Sequence, residues 1–391
     1  MDMRKNETLV ITCDRGVSGY LRREIEQLSY TAKSVSDTRI EIAASLHDAM
    51  RLNLMLRTGV NVLCLLKQFS CKNPDELYKE VVSFPWEDYI LPSEYLSIVS
   101  RVNTLSINNS VFASQKVKDA IVDRIAEKRG SRPNSGPDRD NVVINFYWNE
   151  EQCWLYLNAS GKKLSDRGYR KIPHTAPLRE NLAAALLCAT GFDGSQPLVN
   201  PMCGSGTLAI EAALIALNRA PGLLRSNFGL KHIIGFDQEA WGALRKEARA
   251  RSRKELPFRI IATDIDKNAI ESAKKNAQTA GVDQLIEFHV CDFRDTPIPE
   301  EKGIIILNPE YGYRLGKQPE LEKVYESIGD FFKNKCAGYT GYVFTGNMPL
   351  AKKVGLKASR RLIFFNAKIE CRLLEYHMYI GSKEGRHDDR P

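Results

Sequence analysis

Between residues 198 and 313, strand-like runs alternate with glycine turns and helical stretches, and this order restricts the fold more than any other feature of the sequence. An apolar run at 198–200 leads into a turn with Gly204 and Gly206, and a helix is predicted at 207–217. Further strands are predicted along the chain at 258–263, 285–290 and 303–307. Alternation of this kind is typical of doubly wound α/β domains with a mostly parallel sheet. We therefore expect a Rossmann-like domain in the second half of the chain.

The length and composition indicate a soluble globular protein of two or three domains. The chain has 391 residues, 43% hydrophobic and 27% charged, and its net charge of +8 is compatible with a polyanionic partner. It shows neither an apolar run of about 18 residues that could cross a membrane nor the pattern of a signal peptide. The nine cysteines are scattered without a CxxC pair, which indicates neither zinc nor a disulfide framework. We expect a cytoplasmic protein without metal or membrane contact, and a monomer is favoured.

The first 160 residues contain short alternating strands and helices, which predicts a mixed α+β region. A basic helix is predicted at 111–129, and the loop 129–139 behind it is rich in turn residues and positive charge. The candidate contacts to nucleic-acid phosphates in this region are Lys116, Lys118, Arg124, Lys128, Arg129 and Arg132. These residues form either a solvated surface or an edge that grips phosphates, and the sequence leaves both alternatives open.

The turn NPMCGSG at residues 200–206 lies where an α/β domain binds ligands. Because it follows a strand and precedes a helix, its two glycines let backbone amides approach a ligand at the positive end of that helix. The patterns GxGxxG and GK[ST] are both absent, which argues against a nicotinamide cofactor and a nucleotide P-loop. The predicted cofactor contacts of this turn are Asn200, Pro201, Met202, Gly204 and Gly206.

Two acidic motifs stand at the ends of the next two strands. Asp264 is suited to accept hydrogen bonds from ribose hydroxyls, and Ile265 beside it is a further candidate contact. Asp266 is suited to cap the helix that begins behind it. Asp292 could accept from an adenine amine while Phe293 packs on the ring, and a simple surface turn is the alternative for this pair.

The run Asn308-Pro309-Glu310-Tyr311 ends the next strand. An amine conjugated to an aromatic ring is a poor nucleophile, because its lone pair is delocalised. The carboxamide oxygen of Asn308 and a carbonyl presented by the Pro309 turn can accept its two N–H bonds and turn the lone pair toward an electrophile. Tyr311 can stack on a base removed from its helix. An ordinary Asn-Pro turn is the alternative reading of the same residues.

Taken in order, these motifs resemble the class I S-adenosylmethionine-dependent methyltransferases that act on amino groups. More narrowly, the chain resembles the THUMP-domain RNA guanine-N2 methyltransferases, which include 23S ribosomal RNA enzymes. The segments that carry the resemblance are SGKKLSDRGYR, APLRENLAAALL, NPMCGSGTLAIEAALIA, RAPGL, ATDIDKNAIESAKKNA, LNPEYGYRLG and CRLLEY. They cover nearly all of residues 160–376 and are highly specific in combination.

The resemblance implies a domain order and a set of site residues. The implied order is a ferredoxin-like piece at 1–45, an RNA-binding THUMP domain at 46–160, a methyltransferase domain with a mostly parallel seven-stranded sheet at 161–384, and a disordered tail at 385–391. The implied cofactor residues are Pro201, Gly204 and Gly206 in the loop, Asp264 at the ribose and Asp292 at the adenine. The residues implied at the target amine are Asn308, Pro309 and Tyr311, and Asn308 is also a candidate cofactor contact. The segment 176–179, with Pro177, is implied to close over the methionine end of the cofactor.

Two residues depart from the family pattern. Asn200 stands where the family usually has aspartate, and Glu180 or Glu211 is the candidate substitute for that carboxylate. Glu310 replaces the second proline of NPPY and places a charge by the pocket. The charge of Glu310 could change which base the pocket accepts or lower the activity.

The sequence therefore predicts in-line transfer of a methyl group from S-adenosylmethionine to the N2 amine of a guanine in structured RNA, with 23S ribosomal RNA as first choice. Cys203 then serves as a small residue in a tight loop, and no covalent enzyme intermediate is needed. The alternatives are a transfer RNA guanine-N2 or an adenine-N6 methyltransferase, because the same motif serves either amine. A catalytically silent RNA-binding assembly factor is the alternative from another class, and Glu310 is its best support.

Overall fold

A computed structural model describes residues 7–107, 109–172, 178–312 and 318–379 of the chain. The chain forms two compact units, each assembled from separate stretches of sequence. The first contains residues up to 13, residues 21–167 and residues 220–250; the second contains 14–20, 168–219 and residues from 251 onward. The predicted domains are continuous stretches, and their boundaries remain a prediction.

The first unit contains a mixed sheet, for which eight strands are found among the described residues. The strands are β1 (Glu7–Thr12), β2 (Ala32–Val35), β3 (Arg39–Ala44), β4 (Asn61–Ser70), β5 (Tyr95–Asn103), β6 (Asn134–Ser135), β7 (Val142–Asn149) and β8 (Gln152–Asn158). Their order across the sheet is β2-β3-β1-β4-β8-β7-β5-β6. A hairpin joins β7 to β8, and Glu150 in its turn has a left-handed φ of 56°. The basic loop 129–139 contributes the short edge strand β6, which pairs with β5.

The helices of the described chain are α1 (Ser18–Gln27), α2 (Leu46–Met55), α3 (Pro74–Val82), α4 (Ser110–Arg129), α5 (Glu180–Thr190), α6 (Thr207–Ala216), α7 (Gln238–Ala250), α8 (Lys267–Ala280), α9 (Gln318–Lys335) and α10 (Met348–Lys353). Capping side chains explain several of their starts. Asn73 accepts from the amides of residues 75 and 76 at the start of α3, where Pro74 occupies the first turn. Asp266 accepts from the Asn268 amide, which confirms it as the cap of α8. Of the helices in the described ranges, none is long and apolar enough to cross a membrane.

The second unit contains a seven-stranded sheet of described residues that is mostly parallel, as predicted. Its strands are β9 (Leu198–Pro201), β10 (Ile260–Asp264), β11 (Ile286–Val290), β12 (Ile304–Leu307), β13 (Thr340–Thr345), β14 (Arg360–Asn366) and β15 (Ile369–His377). The order is β11-β10-β9-β12-β13-β15-β14, with β15 antiparallel to both neighbours. From β9 the chain continues to one side through β10 and β11 and then returns to the other side at β12. Ligands of doubly wound sheets bind outside the carboxyl ends of the strands at this switch point.

The centre of this sheet is buried on both faces. All four residues of β12 are buried, as the continuous apolar run at 303–307 predicts. One face packs against α9 and α10 in a cluster that includes Tyr325, Phe332 and Leu350. This packing fixes the positions of the central strands. The loops at their carboxyl ends are therefore held in fixed positions as well.

Helix α9 approaches the end of α10 at Gly329, which yields a stability prediction. A Cβ on Gly329 would lie 1.8 Å from the carbonyl oxygen of Val354. Because a backbone atom cannot rotate away, Gly329→Ala should lower the free energy of unfolding by about 1–3 kcal/mol, despite the better helix propensity of alanine. The control is Gly242→Ala in α7, where a Cβ would meet no described atom within 4 Å. Chemical denaturation should show the control neutral or stabilised, and equal effects of the two variants would contradict the packing argument.

Candidate active site

The turn between β9 and α6 has the left-handed backbone that glycine favours. Met202, Gly204 and Gly206 have φ angles of 55°, 54° and 81°. The backbone amide of Cys203 donates to the carbonyl of Thr263 at 2.9 Å, which connects the turn to β10. A Cβ at Gly206 would lie 2.9 Å from that of Ala273, so packing against α8 requires glycine there. A Cβ at Gly204 would meet no described atom within 4 Å. The turn therefore leaves open space at Gly204, where a ligand can approach the backbone.

Asn200 links the two central strands at the switch point. The residue is fully buried, and its Nδ2 donates to the carbonyl of Ile306 at 2.9 Å. Its Oδ1 has no hydrogen-bond partner in the described part of the chain. An aspartate could not donate to that carbonyl, so the departure from the family pattern gives this chain a bond between β9 and β12.

Cys203 in the same turn is also buried. Burial, and to a lesser extent the negative charge of Asp264, raise the pKa of its thiol. The thiol is therefore neutral near pH 7, which suits a small residue in a tight loop and not a nucleophile.

Asp264 braces the glycine turn. Its Oδ2 accepts from the Gly204 amide at 2.9 Å and its Oδ1 from the Asp266 amide at 3.0 Å. Each carboxylate oxygen can accept a second hydrogen bond, so both remain able to receive ribose hydroxyls. Ile265 beside it is 71% exposed, as a residue that covers a ligand could be. The roles of both residues in cofactor binding remain predictions.

Asp292 and Phe293 follow β11, and both make contacts within the protein. Asp292 accepts from the Arg294 amide and from its Nε and Nη2 at 2.8–2.9 Å, and these hydrogen bonds lower the pKa of its carboxyl. Phe293 is 8% exposed and packs edge-on against Phe331, with ring centroids 5.8 Å apart. In this structure the Asp292 carboxylate is therefore paired with Arg294, and the Phe293 ring packs in the core. The contact of Asp292 with adenine stays a prediction. It requires the carboxylate to accept from the adenine amine as well as from Arg294.

Arg170 connects the glycine turn to the chain that enters α5. Its Nε donates to Glu180 at 2.9 Å, its Nη1 to Ser205 Oγ at 3.0 Å, and its Nη2 to Thr207 Oγ1 and the Leu178 carbonyl at 3.0 and 2.9 Å. The side chains of Arg170 and Glu180 are 16% and 8% exposed. One mostly buried guanidinium therefore fixes the start of α6 relative to the start of α5.

Asn276 of α8 supports the same connector. Its Oδ1 accepts from the amides of Lys171 and Ile172, and its Nδ2 donates to the Ser205 carbonyl at 3.2 Å. Sequence reasoning missed Arg170 and Asn276 as supports of the turn. The available signal was the polar, basic connector SGKKLSDRGYR that precedes α5.

Both glutamates considered as substitutes for the missing aspartate are engaged elsewhere. Glu180 forms the ion pair with Arg170. Glu211 is fully buried and accepts from the hydroxyl of Tyr169 at 3.2 Å. These contacts hold the connector and α6 together, and the role of either carboxylate as a substitute for the aspartate remains a prediction.

Two asparagines from later in the chain hold Tyr311 at the end of β12. Asn347 Nδ2 donates to the Tyr311 carbonyl at 3.2 Å, and Asn366 Nδ2 donates to its phenol oxygen at 2.8 Å. The preceding Pro309 is buried, whereas Glu310 is exposed. The Oδ1 of Asn308 is buried and has no hydrogen-bond partner in the described ranges. A buried acceptor of this kind costs about 1–3 kcal/mol until a donor enters, which fits the predicted role of Asn308 toward an amine.

The six basic candidates of the first unit are held by acidic or carbonyl oxygens. Arg124 pairs with Glu87 at 2.6 Å, and the two side chains are only 22% and 16% exposed. The other contacts are Lys116–Asp75, Lys118–Asp119, Lys128–Glu127, Arg129–Glu87 carbonyl and Arg132–Asp119 and Arg132–Asp123. Exposed pairs contribute only about 0–1 kcal/mol, so phosphates can compete for these five residues. Arg124 is held in a less exposed pair than the others, and RNA binding by all six residues remains a prediction.

Part of the predicted site lies outside the described residues. Pro177 falls there, as does Ala176, so only residues 178 and 179 of the segment 176–179 are described. Within the described ranges, no group of three or more His, Cys, Asp or Glu residues is arranged to hold a metal ion.

Three stretches of the chain match known domain families. Residues 8–63 match the RlmL ferredoxin-like domain and residues 71–158 match the THUMP domain. Residues 167–375, more than half of the chain, match the RMKL-like methyltransferase domain.

Individual proteins are similar over nearly the whole chain. The ribosomal RNA large subunit methyltransferase K/L of Syntrophotalea carbinolica is 39% identical, over 93% of this chain and 53% of that protein. A Synechocystis protein named as a candidate RNA methyltransferase is 33% identical, over 94% of this chain and 96% of that protein. A solved structure from Listeria monocytogenes, titled a predicted N6-adenine-specific DNA methylase, is 29% identical with a TM-score of 0.84, over 96% of this chain and 97% of that one. The chain spans about half the length of the K/L protein.

Proposed function

The chain belongs to the family with an RMKL-like methyltransferase domain, and on that premise we propose that it methylates the exocyclic N2 amine of a guanine in structured RNA. S-adenosylmethionine is the methyl donor. Two curated relatives of the chain are named as RNA methyltransferases, and the match to a THUMP domain supports an RNA substrate.

One observation carries the choice of an amine: the buried Oδ1 of Asn308 has no hydrogen-bond partner in the described chain. An exocyclic amine brings two N–H donors into such a site, and Asn308 would accept one of them. With the second N–H held by a backbone carbonyl at the Pro309 turn, the lone pair is directed out of conjugation. Tyr311, fixed by Asn347 and Asn366, offers a ring on which the extruded base would stack.

The residues present fit the cofactor. Gly204 leaves room for close approach to the backbone, and Asp264 has acceptor capacity for a ribose. When bound, S-adenosylmethionine supplies the electrophilic methyl group. The protein positions the amine, excludes water from it and holds its protons, and these effects would supply most of the acceleration.

The large ribosomal RNA is the first choice of substrate. This choice of substrate is based on the name of the K/L relatives and on the match of residues 8–63 to the RlmL ferredoxin-like domain. Because the chain spans about half of those relatives, the activity of the longer proteins is carried over only as a proposal.

Adenine N6 is the second candidate target. The Listeria structure bears an adenine-specific title, and Asn308 with a turn carbonyl would serve an adenine amine as well as a guanine amine. The exposed position of Glu310 does not distinguish the two bases.

The deciding experiment incubates the purified chain and methyl-labelled S-adenosylmethionine with unmodified transcripts of 23S ribosomal RNA and transfer RNA, followed by nucleoside analysis. We expect label in N2-methylguanosine from the 23S transcript. Label in N6-methyladenosine would favour the second candidate, and label on another guanine atom would contradict the amine argument. Tight RNA binding without cofactor binding in calorimetry would identify a silent assembly factor.

A further inference from the structure

The segment that leads into α1, together with the first turn of that helix, packs along the edge strand β14 of the second unit. Gly16 has a φ of 81°, and a Cβ there would lie 2.6 Å from the carbonyl oxygen of Ile363. Tyr20 stacks on Phe364, with ring centroids 5.6 Å apart. The segment is therefore in close contact with β14, although nearly 350 residues of sequence separate them.

Asp14 anchors the same segment to α5. Its Oδ2 accepts from the Nδ2 of Asn181 at 2.9 Å, and its Oδ1 lies 3.4 Å from an Nη1 of Arg179. Asn181 is fully buried. With Gly16 fixed on one side and Asp14 on the other, the backbone of Arg15 has little freedom.

Arg15 itself is exposed and stacked. Its guanidinium carbon lies 4.1 Å from the centroid of the Phe365 ring, and no carboxylate of the described chain lies within ion-pair distance of it. Stacking on an aromatic face leaves the in-plane N–H groups of a guanidinium available to another acceptor. Arg15 thus differs from the basic residues of α4, which already contact acidic or carbonyl oxygens.

The position of Arg15 relates it to the target amine. Because β15 is antiparallel to both β13 and β14, the carboxyl end of β14 lies at the same edge of the sheet as the end of β12. Asn366, the last residue of β14, donates to the phenol oxygen of Tyr311. Phe365, the platform for Arg15, is the residue before it. Arg15 therefore lies beside the end of β14 that carries Asn366, at the same edge of the sheet as Tyr311.

We propose that Arg15 binds a phosphate of the RNA backbone next to the target nucleotide, so that the segment before α1 completes the substrate side of the active site. This inference rests on the proposed RNA methyltransferase function. An extruded base carries its flanking phosphates to the rim of the pocket, and a stacked, unneutralised guanidinium at that rim suits a phosphate. Such a contact positions the strand without reading its sequence.

The test compares Arg15→Ala with the intact chain in two measurements. We expect the KM for a 23S ribosomal RNA transcript and the Kd of the cofactor-free protein for the same RNA to rise about tenfold, with the slope of log Kd against log salt reduced by about one. The kcat at saturating RNA and the calorimetric Kd for S-adenosylmethionine should stay unchanged. Arg15→Lys keeps the charge but not the planar stack, so it should restore part of the affinity.

The matched control is Arg259→Ala, since Arg259 is 53% exposed, pairs with Glu287 and precedes β10 at the opposite edge of the sheet. It should change neither RNA affinity nor KM. An Arg15→Ala protein with unchanged KM, Kd and salt slope would overturn the inference while leaving the methyltransferase proposal intact. Failure of the intact chain to methylate any RNA would refute the proposed function, and the cofactor-free binding measurement would still decide whether Arg15 contacts RNA.

Discussion

Asn308→Ala is expected to lower kcat for methyl transfer by roughly 100- to 1000-fold, the loss typical of removing one preorganised polar group from a reacting centre. The cofactor Kd should not change, because the glycine turn and Asp264 do not depend on this side chain. Stability should not fall either, since the Oδ1 of Asn308 has no partner to lose in the described structure. Single-turnover transfer, calorimetry and thermal unfolding on the same preparation test the three statements together.

Asn308→Asp is the matched variant for this prediction. A carboxylate of the same shape retains the acceptor oxygen, so measurable transfer should survive where alanine removes it. Full activity of Asn308→Ala would eliminate the proposed amine acceptor. A parallel loss of cofactor affinity and stability would instead assign Asn308 a structural role in the turn.

Much of the second unit can be predicted from sequence because its signals are local. The apolar run at 303–307 becomes the buried β12, the glycine turn lies between β9 and α6, and Asp266 caps α8. Each of these features depends on residues that are close together in the sequence. By contrast, β2 is mostly exposed and is a strand because it pairs with β3, a contact that its sequence AKSV does not specify.

The supports of the site are harder to predict because they join distant parts of the chain. Asn366 lies 55 residues from Tyr311, and Arg170 lies 35 residues from Ser205. No periodicity or spacing encodes such a pair. Phe293 illustrates the converse difficulty: an aromatic residue after a strand fits both a ligand and the core, and only the position of α9 decides that its ring meets Phe331.

Arg170→Met is expected to be the most damaging single change in the support of the cofactor turn. It leaves the carboxylate of Glu180, 8% exposed, without its ion-pair partner, and breaking a buried pair in this way costs about 3–5 kcal/mol of folding free energy. It also removes the hydrogen bonds to Ser205 and Thr207. We therefore expect a lower denaturation midpoint and, where the protein remains folded, about tenfold weaker binding of S-adenosylmethionine.

The double variant Arg170→Met/Glu180→Gln separates the two effects. Neutralising Glu180 removes the uncompensated charge, so most of the lost stability should return. Cofactor affinity should stay low, because Ser205 and Thr207 still lack the donor that orients the turn. Arg259→Met, which breaks an exposed pair with Glu287, should affect neither quantity measurably. If cofactor affinity recovered together with stability in the double variant, Arg170 would be a structural ion pair only, and the positioning of the glycine turn would have to come from Asp264 and Asn276.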